Sequence, residues 1–453
     1  MFFTSKRPTP LLLLMALAPA CVQVDPRGDF AEARGLISES TGRSEIYDPS
    51  AEGLSAEELE RMLADGLSLE EALRLALLRN SELQAAFQEI GMAHADWVQS
   101  KLLTNPSLDL LVRFPAGGGR TQLEGSIGLE LLELWRIAPR SASAEHRLKV
   151  TVLRIARLAG ELLADTRQAY FAAVAAEEHW RIAQDSVGLV SASHAGVTEM
   201  HAAGSADDLD LNLARGPWLN AELDLRATRM AASEAKRELA KLLSLGRPVE
   251  ALLLSDPLGL PSPISQDPEA LVTLALASRL DLRALASAVD ASQAQLDLEQ
   301  RKAWGNIAVG PDIERPAESG VDLVGVGLSL ELPIFDQNQA QVSRAAFQLQ
   351  QIAALQVAAR ISVTQDVRTS LDRVLTATQT EAFYQDEVLP QAERSLELAR
   401  ESYSAGRITI LALIEVQRQL LAARRDHVDQ RLEAADAAAE LERVVGVPTR
   451  AEH

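Results

Sequence analysis

The apolar positions of this chain change their spacing in a set order, and the order is run through twice. Around residues 68–103 apolar side chains return every three to four residues, the period of a helix. From Ser107 to Phe114 the period falls to two, with Leu108, Leu110, Val112 and Phe114 on one face and Ser107, Asp109 and Arg113 opposite. From Gln122 to Leu131 it is two again: Leu123, Ile127, Leu129 and Leu131 against Gln122, Glu124, Ser126 and Glu130. This predicts strands at about 107–114 and 122–131, each with one apolar and one polar face. Pro115-Ala-Gly-Gly-Gly-Arg120 between them is turn chemistry. The helical spacing then resumes over 141–202, through Val152, Ile155, Ala159, Leu162, Thr166, Ala169, Ala173 and Ala176. Such a helix is roughly 90 Å long, and its alanines let a partner helix come close. Gly204 stops it, and a second helix runs back to about Leu245.

The order restarts 199 residues later. Glu71–Leu83 recurs as Ala270–Leu282, Leu108 and Leu110 match Ile307 and Val309, and Ile127-Gly128-Leu129 matches Val326-Gly327-Leu328. Ala203-Gly204 pairs with Ala405-Gly406 at an offset of 202, so the register slips only within the long helices. The chain is a tandem duplication. Its second half is expected to hold a helix over 267–303, strands at about 306–313 and 321–332, a long helix over 337–404 and a return to about Val445. The repeats fall at 67–245 and 269–446. Residues 246–268, rich in Pro and Asp, read as a linker, 447–453 as a tail, and 21–66 as a tether that is polar and irregular over 22–55. The fold class is mainly α with a small β part. Strands of roughly 8–11 residues with this alternation suit a membrane barrel. Four cannot enclose a lumen, so they either pair between subunits or form an ordinary soluble sheet.

Composition changes the picture in two ways. Of 453 residues 47% are hydrophobic but only 4% aromatic, which suits long helices packed on small side chains. A net charge of −20 excludes a nucleic-acid partner, and fits either an acidic lumen wall or a plain solvated surface. At the N-terminus Lys6 and Arg7 precede the apolar run Leu11–Leu17 and Ala18-Pro19-Ala20-Cys21, the order of a secretory signal over 1–20. Cys21 is the single cysteine, so no intrachain disulfide is possible. Its place resembles a bacterial lipoprotein acceptor, with Pro19 departing from the usual small residue. Val22 after it, rather than Asp, resembles an outer-membrane address. No later run of roughly 18 apolar residues offers a helical membrane anchor. His194 and His201, seven apart near the first turn, lack further ligands for a metal set. Gly117-Gly118-Gly119 lacks the Lys-Ser/Thr of a phosphate loop, and Glu177, Glu178 and His179 have no nucleophile beside them. Catalytic residues, metal and cofactor are therefore expected to be none.

Helix, two strands and a long helical hairpin, all repeated, resembles the TolC-like outer-membrane efflux proteins over about residues 67–446. The wording agrees. Leu69-Glu-Glu-Ala-Leu-Arg-Leu-Ala-Leu-Leu-Arg-Asn80 with Asn105-Pro106-Ser107-Leu108 looks like the family's opening. Gly327-Leu-Ser-Leu-Glu-Leu-Pro-Ile-Phe-Asp-Gln-Asn338 looks like its last strand entering the long helix, and Leu389-Pro390-Gln391-Ala392 with Tyr403-Ser-Ala-Gly406 like the approach to its second tip. The stretch Leu332–Gln339 is closest to the heavy-metal branch served by resistance-nodulation-division (RND) pumps, departing at Ala340, where Gly is frequent.

The resemblance implies a homotrimer whose four-stranded parts close a twelve-stranded barrel in the outer membrane, with an α-barrel of helical hairpins crossing the periplasm. It implies a passive exit duct for small toxic solutes, heavy-metal cations among them. An inner-membrane RND transporter would drive it through a periplasmic adaptor (membrane fusion protein). Outer-membrane lipid would surround the strands, and an acylated Cys21 would anchor the N-terminus. The gate and adaptor contact would lie at the hairpin tips, carried by Gly204, Ser205, Asp207, Asp208, Gly406, Arg407 and Thr409. Asp207 and Asp208 can instead be plain helix-capping groups. An Asp–Arg latch from one tip to Arg407 is a further hypothesis. Two other readings stay open: a duct for type I protein secretion, and a periplasmic coiled-coil lipoprotein without a pore.

Overall fold

The computed structural model describes residues 24–448 except 52, 65, 247, 250–251, 260–265 and 319–320. The signal segment and Cys21 lie outside the described residues. The elements run α1 (Arg27–Thr41), α2 (Ala56–Ala64), α3 (Leu69–Arg79), α4 (Ser81–Lys101), β1 (Ser107–Arg113), β2 (Gln122–Glu130), α5 (Leu132–Ala202) and α6 (Asp208–Leu242). The repeat follows as α7 (Pro268–Ser278), α8 (Leu280–Lys302), β3 (Ile307–Arg315), β4 (Leu323–Leu330), α9 (Gln339–Phe383), a π-turn (Tyr384–Val388), α10 (Leu389–Ser404) and α11 (Ile410–Val445).

The four strands form one antiparallel sheet in the order β1-β2-β3-β4. Each strand joins one helix: α4 enters β1, β2 leaves into α5, α8 enters β3, and β4 leaves into α9. Below the sheet those helices stand side by side in the same sequence, α4 against α5, α5 against α8 and α8 against α9. Strand order thus sets helix order. The 71 residues of α5 reach about 106 Å at 1.5 Å per residue.

Where one helix was expected at each repeat's start, there are two. Asn80 (φ −56°, ψ 118°) leaves the helical region, accepts from Leu83 N–H at 2.8 Å and so caps α4. Its amide also donates to Leu242 O at 2.9 Å, in the last turn of α6. Arg279, 199 residues on, has the same backbone (φ −62°, ψ 122°) and donates to Val444 O at 2.8 Å, near the end of α11. The break in each half is held by a side chain reaching the hairpin's returning helix. The expected continuous helix over 337–404 is also interrupted. Pro390 has no N–H and its ring crowds the preceding turn; just before it, Leu389 N–H bonds Tyr384 O, one residue wider than in an α-helix.

The tether over 22–55 needs correction. Residues 27–41 form α1, which buries Phe30, Ala33, Leu36 and Ile37 against α4 and α5. Phe30 and Tyr47 both pack on Phe87, with ring centroids 6.3 and 5.6 Å away. Asp29 pairs with His94 at 2.5 Å. The linker is likewise tied down. Leu254 bridges to Leu67, and the buried Tyr170 hydroxyl donates to Leu67 O at 2.8 Å while accepting from Asp256 N–H at 3.1 Å.

Ion pairs lace the two halves together. Arg157 joins Asp281 at 2.8 Å, Glu178 joins Arg431 at 3.0 Å, and Arg167–Glu442 and Asp224–Arg425 add two more pairs. Burial pushes the Asp281 carboxyl up, but hydrogen bonds from Arg279 and the charges of Arg279 and Arg157 outweigh it and hold it below its ordinary value.

Candidate functional site

The sheet carries two chemically opposite faces, and the register fixes which residues share each. On one face Leu108 lies opposite Ile127, Leu129 opposite Val309, Val309 opposite Leu328, Pro311 opposite Val326, and Ile313 opposite Val324. This face is open: Leu108, Val326 and Leu328 are 73%, 79% and 72% exposed. A contiguous apolar surface of this kind does not stay in water. The outer edges of β1 and β4 have no partner strand among the described residues.

The other face is polar and acidic. Asp109, Ser126 and Asp312 form one cross-strand row, and Glu124 and Glu314 lie opposite each other in the next. Gln122 donates to Glu124 at 2.8 Å and to Glu314 at 3.4 Å, and Arg113 pairs with Glu124. In the row beyond Asp109, Ser107 faces Gly128 and Gly310 faces Gly327. Pro311 cannot donate to an inner ladder, and β2–β3 pairing skips Ile127 and Gly128 there. A Cβ on Gly310 would stand 1.5 Å from Ile127 O, so only glycine fits.

The turn from β4 into α9 uses the Asp336-Gln-Asn338 wording structurally. Asn338 takes a left-handed φ of 57°, and its amide donates to Glu299 O at 2.8 Å and to the Glu299 carboxylate at 2.7 Å. Burial pushes Glu299 up, but hydrogen bonds from Lys302 and Asn338 overcome this and hold it below its usual value.

At the far end of the hairpins the two tips share one backbone. Gly204 (φ 73°) and Gly406 (φ 67°) are left-handed. Ser205 N–H closes onto Met200 O and Arg407 N–H onto Ser402 O, each at 2.8 Å, the six-to-one bond of a Schellman end. Asp207 then caps α6 by accepting from Asp210 N–H at 2.8 Å, and Thr409 caps α11 by accepting from Ala412 N–H at 3.3 Å. Asp207 therefore has the capping role as one of its uses, while the Asp208 carboxylate takes His201 Nε2 at 2.9 Å. The tips lie side by side, with the Tyr403 hydroxyl 3.8 Å from Met200 Sδ. Arg407 is exposed and forms no ion pair with Asp207 or Asp208 within the protomer, among the described residues. A latch through Arg407 would have to cross between copies.

The cross-strand acidic rows were invisible until the register was known: Asp109 and Glu124 lay on faces already read as polar, whereas Glu314 falls beyond the strand expected at 306–313 and Asp312 had been given no face. No group of three or more His, Cys, Asp or Glu placed to hold a metal occurs among the described residues. No helix among them is long and apolar enough to cross a membrane, which says nothing of the strands.

A sheet with one lipid-like face, standing on a row of long helical hairpins, defines a class. The chain has the fold of the TolC-like outer-membrane channels, and its second half carries an outer membrane efflux protein domain. Residues 271–447 match the family model described as outer membrane efflux protein. Among curated relatives, the cobalt-zinc-cadmium resistance protein CzcC of Cupriavidus metallidurans is 26% identical over 393 residues, covering 85% of this chain and 91% of the relative. The pyoverdine export outer membrane protein OpmQ of Pseudomonas aeruginosa is 26% identical over 317 residues, covering 67% and 65%. Among solved structures, the Campylobacter jejuni CmeC outer membrane channel superposes with a TM-score of 0.73 at 15% identity, over 90% of this chain and 91% of that one. CusC gives 0.68 at 19% identity, over 84% and 92%.

Proposed function

We propose that the chain is one third of a passive exit duct, completed when β4 of one copy pairs with β1 of the next. The carrying observation is the sheet itself. It has two edges unpaired among the described residues and a largely exposed apolar face, which burial in lipid and closure into a ring would satisfy together. Three copies give twelve strands, and the helices beneath continue the wall into the periplasm. The duct carries out no chemistry of its own. An inner-membrane RND transporter supplies the energy through a periplasmic adaptor that meets the hairpin tips at Gly204–Asp208 and Gly406–Thr409. Acylation of Cys21 adds an anchor at the N-terminus.

For cargo, the reading favours small cationic solutes, heavy-metal ions first. Asp109, Asp312, Glu124 and Glu314 share the sheet's polar face, which becomes the lumen wall, and rings of like charge select cations. The similarity to a cobalt-zinc-cadmium resistance protein points the same way.

Purified full-length protein in planar bilayers tests the duct: it should run as a trimer and form cation-preferring pores. Peripheral, non-conducting material would sink the reading. Replacing Arg407 with Ala should raise single-channel conductance if a latch between copies holds the tips; an unchanged closed state would end that part. Deletion, followed by survival on cobalt, zinc, cadmium and organic toxins, tests the cargo.

A further inference from the structure

Just below the sheet, two cations stand on tryptophan rings, Lys101 on Trp97 of its own helix α4 and Arg301 of α8 on Trp135 of α5. Lys101 is the last residue of α4, and its Nζ lies 3.1 Å from the Trp97 ring centroid. Arg301, in the last turn of α8, holds its guanidinium carbon 5.0 Å from the Trp135 centroid and donates to Trp135 O. These helices lead into β1 and β3, so the two posts sit at one height around the wall.

Their surroundings separate them from the other cations of this rim. Arg136 and Arg140 both pair with Glu133, and Lys302 pairs with Glu299. Those charges tie elements together and are neutralised by doing so. Lys101 and Arg301 have no carboxylate partner among the described residues. In a chain of net charge −20 that is not for want of acids.

The height of the posts decides what can reach them. Leu131 N–H bonds Ile307 O at 2.9 Å, which keeps Leu131 in register on the apolar face. Trp135 follows four residues later on the same side of α5, one turn of about 5.4 Å below. Trp135 is 44% and Trp304 68% exposed. Hydrocarbon gives way to headgroups over roughly 6 Å on each side of a bilayer. Cations on indole rings at that level face phosphate, and an aromatic body with a polar tip suits the same boundary.

We infer that Arg301 on Trp135 and Lys101 on Trp97 form headgroup sites for anionic phospholipids of the periplasmic leaflet, each cation binding the phosphodiester while the neighbouring apolar residues take the first acyl carbons. This rests on the reading that the apolar face of the sheet lies in lipid. The occupant is a lipid and not free phosphate, because exposed Leu131 and Trp135 adjoin Arg301 and exposed Leu102 and Leu103 follow Lys101, apolar surface that inorganic phosphate cannot use.

Native mass spectrometry of the full-length protein, released from detergent with added phosphatidylglycerol or phosphatidylcholine, reads the sites directly. Phosphatidylglycerol should be retained in preference to phosphatidylcholine, and excess inorganic phosphate should not displace it. Arg301→Gln should weaken retention about fivefold, and Lys101→Gln with Arg301→Gln by more. Arg301→Lys should restore most of it. Equal retention of the two lipids by the unmodified protein, displacement by inorganic phosphate, or undiminished retention by the folded double variant would each overturn the inference. Pore conductance of the unmodified protein tests the duct separately, so failure of one reading is distinguishable from failure of the other.

Discussion

The upper parts of α5 and α9 come from the same duplicated stretch, yet they end in opposite surroundings. At the offset of 199, Phe347 corresponds to Leu148, Leu355 to Ala156 and Ile361 to Leu162. In α5 these positions are 5%, 0% and 8% exposed; in α9 they are 71%, 52% and 61% exposed. The sequence character is nearly the same, so hydrophobicity does not explain the difference. Neighbours do. α5 stands inside the wall with α4 on one side and α8 on the other, and α1 and α3 cover it as well. α9 is the last helix of the wall; α8 flanks it, α7 and α11 pack on it, and no counterpart of α1 covers it among the described residues. The comparison teaches that an apolar stripe kept on an edge helix is an unfinished core, which the proposed ring of copies would complete.

The largest expected effect breaks or keeps that comparison at once. Leu148→Asp puts an unpaired charge into the core and should cost about 4 kcal/mol or more, lowering the melting temperature of the protomer itself. Phe347→Asp should leave the protomer's melting within about 0.5 kcal/mol of the parent yet abolish the trimer band on a semi-native gel. If both variants unfold, or neither disturbs assembly, α5 and α9 do not differ as described.

The sheet offers the next contrast. Val326→Arg on its exposed apolar face should cost about 2–4 kcal/mol in a denaturant titration from liposomes, whereas Ser126→Arg on the polar face should be tolerated there and shift ion selectivity instead. Similar losses for both would mean the faces are misassigned.

Smaller effects sharpen the parallel between the two helix breaks. Arg279→Ala removes the bond to Val444 O and strips the part-buried Asp281 of its nearer cation, costing about 2–3 kcal/mol by thermal melting. Asn80→Ala loses a cap and the bond to Leu242 O without stranding a charge, and about 1–2 kcal/mol is expected. A larger loss from Asn80 would reverse the ranking.

The smallest prediction concerns pH. Burial, with help from Glu433 and against Arg373, raises the Asp436 carboxyl to about 6, and one of its oxygens is buried without a hydrogen-bond partner. A folded pKa above the unfolded one penalises the native state once the group is charged. The penalty is absent below about pH 4, the ordinary carboxylate range, and complete above about pH 6. Asp436→Asn should therefore stabilise by about 1–2 kcal/mol at pH 7.5, allowing for partial solvent screening, and by nothing near pH 3.5. A gain that does not change with pH would mean packing rather than charge.

Much of this architecture was legible along the chain because each signal is local. A period of two at Leu108–Phe114 and a period near 3.6 at Val152–Ala176 are set by which way neighbouring side chains point, and no partner is needed to read them. The glycines at 204 and 406 announce the tips because a left-handed residue ends a helix wherever it occurs. The duplication was legible for the same reason, as a comparison of the sequence with itself. Two departures show where local signals stop. Residues 27–41 carry Phe30, Ala33, Leu36 and Ile37 at helical spacing, but the polar residues around them hid a helix that exists because α4 and α5 offer it a surface. Asn80 and Arg279 looked like helix interior, and they break the chain because Leu242 O and Val444 O stand within reach.

By itself, then, the sequence determined the order of the main elements, the two faces of the strands at 107–114 and 122–131 and the repeat, since these depend on the residue and its near neighbours. Only the tertiary structure decided which carboxylates share a row, which half of a duplicated pair is buried and which cations go unpaired. Those depend on contacts between residues up to 275 positions apart, as in Arg167–Glu442, and no period along the chain encodes such a distance.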